Sequence, residues 1–215
     1  MTAVVAIDGP SGSGKSTVAR MLAERLKAAH VDTGAMYRAF ALKAMRSGVA
    51  STDSDGILLL FGNTTIEIDG DLVTMDGNDV SGLLRTPEVT EQASWFAAIS
   101  EVREWMVAKQ RGIAASTPGV TVFEGRDIGS IVFPDAALKV FVTASVEERA
   151  KRRAAETDRP QREVQEEIHA RDHRDTSRTH SPMMVAEGAV VVDTTGIPPR
   201  KIVEQLAALA EERLS

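Results

Sequence analysis

Cysteine is absent from the 215 residues. Disulfides, thiolate zinc sites, iron–sulfur clusters and cysteine nucleophiles are excluded together, and the absence fits a reducing compartment. Aromatics are scarce at 4%, yet 43% hydrophobic and 26% charged residues keep the balance of an ordinary globular protein. Long apolar runs are missing as well. None approaches the ~20 residues that span a bilayer, and Val4 to Ile7 is a short run with no basic leader, unlike a signal peptide. Positive charge is in deficit, 25 Lys and Arg against 31 Asp and Glu for a net charge of -6. That argues against a protein that coats nucleic acid or an anionic membrane and leaves room for a local basic pocket. The four histidines (His30, His169, His173, His180) show no ligand spacing and read as structural or surface residues. The expectation is a cytoplasmic, single-domain protein with no nucleic-acid or membrane partner.

What is present is a rhythm of short apolar strands and amphipathic helices. Val4 to Ile7 reads as a buried strand. Val18, Met21, Leu22, Leu26 and Ala29 share one helical face. A strand near His30 to Asp32 leads into a helix from about Ala35 to Arg46, which stops at Ser47-Gly48. Residues 49–63 read as a loop with a short apolar stretch, Ile57 to Phe61. Thr65 to Ile68 and Leu72 to Met75 alternate about Asp69-Gly70-Asp71, a β-hairpin pattern that breaks the βαβ rhythm. Residues 86–115 read mainly helical from Thr86-Pro87-Glu88. Strands follow at Val120 to Glu124, Leu138 to Thr143 and Ala189 to Asp193, with helices at Val146 to Ala155 and Pro198 to Leu214. Residues 156–182 are very polar. The alternation implies a doubly wound, mostly parallel α/β sheet with helices on both faces.

Between the first strand and the first helix lies Gly9-Pro10-Ser11-Gly12-Ser13-Gly14-Lys15-Ser16-Thr17, a full G-x-x-x-x-G-K-[ST] match in its required context. Such a P-loop turns backbone N–H groups toward phosphate oxygens, and the helix N-terminus adds its dipole. Lys15 reaches the β- and γ-phosphates, and Ser16 ligates Mg²⁺. Nucleotide binding alone is not a function, so the acceptor must be read elsewhere. Asp32-Thr33-Gly34-Ala35-Met36-Tyr37-Arg38 and Glu124-Gly125-Arg126-Asp127 close two further strands, at the sheet edge where α/β ligands bind. Taken alone, Asp32 or Thr33 could equally cap the next helix with Arg38 solvated. Glu124 suits the Mg²⁺ water shell. Arg149 and Arg153, four apart on a helix, share one face. Arg159, Arg171, Arg174 and Arg178 populate a stretch that reads either as a mobile lid over the transferring phosphoryl or as a solvated, ion-paired helix.

Together these motifs resemble the bacterial cytidylate kinases. The resemblance runs from Ile7-Asp8 and the P-loop through Asp32 to Arg38, Val80 to Thr86, Val102-Arg103-Glu104, Gly125 to Gly129, Val132 to Ala136 and Arg171 to Arg178, which is essentially the whole chain in order. It implies a P-loop core (about 1–62 and 116–215), a CMP-binding insertion with the hairpin (about 63–115) and a short arginine-rich lid (about 153–178). It implies ATP and Mg²⁺, with CMP and dCMP as phosphoryl acceptors in pyrimidine metabolism. With both substrate sites within one chain, a monomer is expected. By motif match, Gly9 to Thr17 and Arg149 hold ATP. Ser94, Arg103 and Asp127 touch the cytosine, Arg38 and Arg126 hold the CMP phosphate, Arg171 and Asp175 reach the ribose, and Thr33 lines the CMP site. Lys15, Arg126, Arg153 and Arg178 serve the transfer, and Ser16 and Glu124 the metal. Glu124 stands where many relatives carry Asp. The competing readings are a UMP- or shikimate-type P-loop kinase and a guanine-reading switch. The switch requires an Asn-Lys-x-Asp element, and no Asn-Lys pair occurs.

Overall fold

A computed structural model describes residues 2–178 and 180–214. It falls into two compact units, 1–30 with 114–215, and 31–113.

The first unit is built on parallel strands. β1 (Ala3–Asp8) lies between β6 (Val120–Gly125) and β7 (Leu138–Thr143), and β8 (Val190–Asp193) pairs with β7. The sheet order is β2-β6-β1-β7-β8, with β2 (Ala29–Asp32) at the edge. β1 and β6 are buried over their last four and five residues, as continuous apolar strands covered on both sides should be. Val5, Ile7, Val122, Leu138, Val140 and Val142 pack with Val18 and Leu22 of α1 (Lys15–Leu26) and with Ile202 and Leu206 of α8 (Pro199–Leu214). The chain order 2-6-1-7-8 brings the ends of β1 and β6 side by side, with Asp8 opposite Gly125. The P-loop and the segment after β6 therefore start from neighbouring strands.

The polar stretch is helical. α6 (Val146–Thr157) packs with α7 (Gln161–Ser177) through a small cluster of Ala150, Ala154, Val164 and Ile168. A π turn at Ile128–Val132, which no sequence signal marks, follows β6.

The second unit holds α2 (Thr33–Arg46), α3 (Ser54–Gly62), the antiparallel strands β3 (Ile66–Asp69), β4 (Leu72–Met75) and β5 (Asn78–Asp79), then α4 (Pro87–Phe96) and most of α5 (Ser100–Ser116). The hairpin is as its alternation predicts, with β5 added. The loop expected over 49–63 is corrected to α3. Asp53 caps it by accepting from the Gly56 N–H at 2.9 Å, and a Cβ on Gly56 would fall 2.3 Å from the Asp53 carboxylate. The Asp-Ser-Asp-Gly run that looks like a turn is thus a helix start, and Ile57 and Leu60 are its buried face. The helical stretch expected over 86–115 consists of α4 and α5, and the Ala97 carbonyl at the end of α4 accepts from Arg103 at 3.2 Å. Four of the nine aromatic residues gather here: the rings of Phe61, Phe96 and Trp105 lie 5.8, 5.5 and 5.4 Å from that of Phe40.

Candidate active site

In the first unit the P-loop leaves β1 through a conformation that only glycine tolerates. Gly9 has φ 152°, and a Cβ there would sit 2.0 Å from the Val142 carbonyl oxygen. Gly14, at φ 85°, opens α1 with no side-chain cap. Lys15 reaches back across the loop, its Nζ donating to the Pro10 carbonyl at 3.4 Å, and Thr17 is exposed on the first turn of α1. The outer carbonyls of the loop are held by side chains. Arg149 Nη1 donates to Ser11 O at 3.1 Å, and Thr194 Oγ1 donates to Ser13 O at 2.9 Å. Arg152 in turn donates to Thr194 Oγ1 at 2.9 Å. Arg152 and Thr194 escaped the sequence reading. The only signal was that Arg152 lies three residues beyond Arg149 on the same helix.

Arg149 and Arg153 do not play matching parts. Arg149 is 5% exposed and also binds Ala144 O and, at 2.6 Å, Asp172 of α7. Arg153 is half-buried and pairs with Glu156 at 3.0 Å.

At the end of β6, Glu124 is buried, with Ser16 and His30 among its partners. Ser16 Oγ donates to its Oε2 at 2.5 Å, and His30 Nε2 lies 3.1 Å from its Oε1. His30 is therefore not a bystander, which its isolated place in the sequence concealed. Both groups that face each other at Ser16 and Glu124 are oxygen donors, which suits a hard cation such as Mg²⁺. No cluster of three or more His, Cys, Asp or Glu side chains with metal-ligand geometry occurs among the described residues.

One step further on, Arg126 joins Arg171 and Arg178 around a single buried carboxylate, Asp175. Arg126 Nε is 3.0 Å from Asp175 Oδ2 and Arg171 Nε 4.0 Å from the same oxygen, while Arg178 Nη2 holds Oδ1. Burial pushes the Asp175 carboxyl up, but Arg126, Arg178 and Arg171 together hold it below its ordinary value. One ionised carboxylate thus gathers three guanidiniums. Asp127, 5% exposed, heads the π turn.

In the second unit, Asp32 does both things that the sequence left open. Its Oδ1 caps α2 by accepting from the Ala35 N–H at 3.1 Å, and its Oδ2 accepts from Arg38 Nη2 at 2.8 Å. Arg38 is therefore held rather than solvated, and its buried Nε has no hydrogen-bond partner. Thr33 is buried on the first turn of α2. Ser94 of α4 and Arg103 of α5 are each 3% exposed, and the Arg103 guanidinium lies 5.7 Å from the centre of the Tyr37 ring.

The family model of cytidylate kinase matches residues 5–212. The chain belongs to the cytidylate kinase family. It is 44% identical over 211 residues to the cytidylate kinase of Caldanaerobacter subterraneus, covering 96% of this chain and 93% of that protein. It is also 44% identical over 218 residues to that of Desulfitobacterium hafniense, covering 98% and 93%. Among solved structures, a gluconokinase from Sinorhizobium meliloti aligns at TM-score 0.52 and 16% identity over 98% of this chain and 92% of that one. An uncharacterised protein from Eubacterium ventriosum aligns at TM-score 0.58 and 12% identity over 98% of each chain. These two likenesses show the fold alone. The chain is thus a kinase of the P-loop class, as its motifs imply, and the cytidylate kinase reading prevails over the shikimate-type, UMP-type and switch readings. No helix among the described residues is long and apolar enough to cross a membrane.

Proposed function

We propose that the residues described above divide the labour of transferring the γ-phosphoryl of ATP to CMP and dCMP, the activity that goes with this family. The observation that carries the assignment is the convergence of Arg126, Arg171 and Arg178 on Asp175, in the same unit as the P-loop. An acceptor phosphate already ionised at neutral pH needs no strong base. It needs neighbouring cations to overcome repulsion between two anions. Residues Gly9 to Thr17 cradle the ATP phosphates, and Arg149 braces that loop beside them. Lys15 moves from the Pro10 carbonyl to the β- and γ-oxygens. Arg126 and Arg38 take the CMP phosphate, while Arg178 and Arg153 cover the transferring group. Arg171 and Asp175 turn to the ribose, and Thr33 lines the same site. Ser94, Arg103 and Asp127 read the base: a carboxylate accepts from the C4 amino group of cytosine and repels the C4 carbonyl of uracil.

Ser16 and, through water, Glu124 would hold the Mg²⁺ ion, which neutralises charge on the phosphates. The insertion about 63–115 carries the acceptor side, and the arginine-rich lid about 153–178 closes over the donor. Closure that depends on both nucleotides keeps water from taking the phosphoryl group. On this reading the enzyme is a cytoplasmic monomer, and sedimentation should return a mass near 23.1 kDa.

The test is ADP release from ATP in the presence of each monophosphate in turn. CMP and dCMP should be turned over far faster than UMP or AMP. Equal turnover of UMP would overturn the assignment of the base-reading residues.

A further inference from the structure

Asp8 has no part in the mechanism above, yet it is one of the most committed side chains in the first unit. It ends β1 at 3% exposure. Its Oδ1 accepts from the Ile128 N–H and its Oδ2 from the Gly129 N–H, each at 2.8 Å. One carboxylate therefore engages two consecutive amides of a segment 120 residues away, which fixes the peptide planes on both sides of Ile128. The two residues immediately before that pair are Arg126 and Asp127. The same turn is closed from within by the Asp127 carbonyl, which accepts from Ile131 and Val132 at 2.9 and 3.2 Å. On its other side Asp8 is followed directly by Gly9 and the P-loop.

A packing role does not require a carboxylate here, because an apolar or amide side chain of the same shape is easier to bury. Burial drives the Asp8 carboxyl up from 3.8 to about 6, against the pull of the Gly129 and Ile128 amides. Asp127 pushes it further up and Arg126 draws it down. What the carboxylate alone supplies is acceptance at both oxygens. An amide offers one acceptor and sets its own NH₂ against the second N–H.

The geometry points to Asp8 as a positioning residue for the acceptor nucleotide: it clamps the Ile128–Gly129 backbone and thereby sets the angle at which Arg126 and Asp127 are presented. The inference rests on reading those two residues as contacts to CMP. Asp8 touches no substrate itself. It acts through the turn, and it ties that turn to the strand that carries the donor loop.

The experiment measures kcat and KM for CMP and for ATP in wild type, Asp8→Asn, Arg126→Ala and the double variant. Asp8→Asn should raise KM for CMP about tenfold or more and leave KM for ATP within about twofold, because misplacing a contact by a fraction of an ångström is felt only by the ligand it holds. In the Arg126→Ala background the same change should lose most of its effect, because residues that act through one another are not additive. Parallel rises in both KM values, or full additivity, would reduce Asp8 to a general structural residue and overturn the inference. If Arg126→Ala leaves KM for CMP unchanged, it is the reading of the acceptor site that fails, a result separable from the behaviour of Asp8. Should Asp8→Asn not fold by circular dichroism, Asp8→Ser takes its place. Amide exchange in the wild type then reads the clamp directly: slow exchange at Ile128 and Gly129 supports it, and fast exchange there overturns it.

Discussion

Ser16 and Glu124, 108 residues apart, meet at 2.5 Å, hydroxyl to carboxylate, where α1 begins and β6 ends. The contact joins a P-loop residue to the acid near the end of β6, and two oxygen donors in that position suit a magnesium ion. Glu124→Gln keeps the shape and one acceptor but removes the charge. It should raise the Mg²⁺ concentration for half-maximal activity by about tenfold, roughly 1.4 kcal/mol. ATP affinity measured calorimetrically without metal should stay within about twofold. An unchanged metal requirement would remove Glu124 from the site.

Lys15 rests on the Pro10 carbonyl at 3.4 Å, a long contact that costs little to leave. Lys15→Ala should lose at least ~3 kcal/mol of transition-state stabilisation, about a hundredfold in kcat. Circular dichroism and melting temperature should be close to wild type, since Lys15 lies outside the core clusters. Near-normal kcat in the folded variant would sink its role.

Asp127 is expected to choose the base. Asp127→Asn offers an amide that can turn its donor toward the C4 carbonyl of uracil. The ratio of kcat/KM for CMP over UMP should therefore narrow by about tenfold, or ~1.4 kcal/mol. If both constants fall together at a fixed ratio, Asp127 positions the site without reading the base.

The apolar cluster that α6 and α7 share around Ala150, Val164 and Ile168 is small, the pair Arg149–Asp172 joins them beside it, and the three arginines of α7 are at least partly exposed, Arg162 at 92% of its side chain. Such a segment opens at low cost. Trypsin should cut within residues 153–178 in the free protein. A bisubstrate mimic that joins adenosine to cytidine through phosphates should slow that cleavage about fivefold or more. Equal cleavage with and without the mimic would contradict closure.

What could be read from the sequence was what the chain encodes locally. Gly9 to Thr17 carry their own geometry, and the alternation at 65–75 states its hairpin. Leu138 to Thr143 is a strand because an apolar run bounded by turns has few alternatives. The helix α3 was hidden because Asp53, Asp55 and Gly56 are turn formers, and only the cap distance separates a turn from a helix start. The tertiary pairings were out of reach for a different reason. His30 finds Glu124 across 94 residues, Arg126 finds Asp175 across 49, and Arg152 meets Thr194 across 42. No periodicity encodes a partner at such distances. The motif match named Asp175 as a ribose contact, but its hold on three arginines appears only when β6 and α7 are in place.

Asp8 also makes a stability prediction whose sign is fixed by the direction of its shift. An acid whose carboxyl is raised on folding binds its proton more tightly in the native state than in the unfolded chain. Its contribution to stability is then fullest below the unfolded value of 3.8 and is lost as pH rises to about 6. The opposite trend comes from Asp175 and Asp76, whose lowered values add stability that disappears toward acid, so the pH curve of the wild type alone mixes the two. The difference between wild type and Asp8→Asn removes what they share. From pH 4 to pH 7 that difference should move in favour of the variant, by up to about 3 kcal/mol. Denaturant midpoints at several pH values measure it. A flat difference would mean that the carboxylate is paid for fully by the Ile128 and Gly129 amides. A shift the other way would mean that its carboxyl titrates below the unfolded value of 3.8 in the folded protein. If the variant gains stability at neutral pH while its KM for CMP rises, the buried charge at Asp8 serves the acceptor site at the expense of the fold.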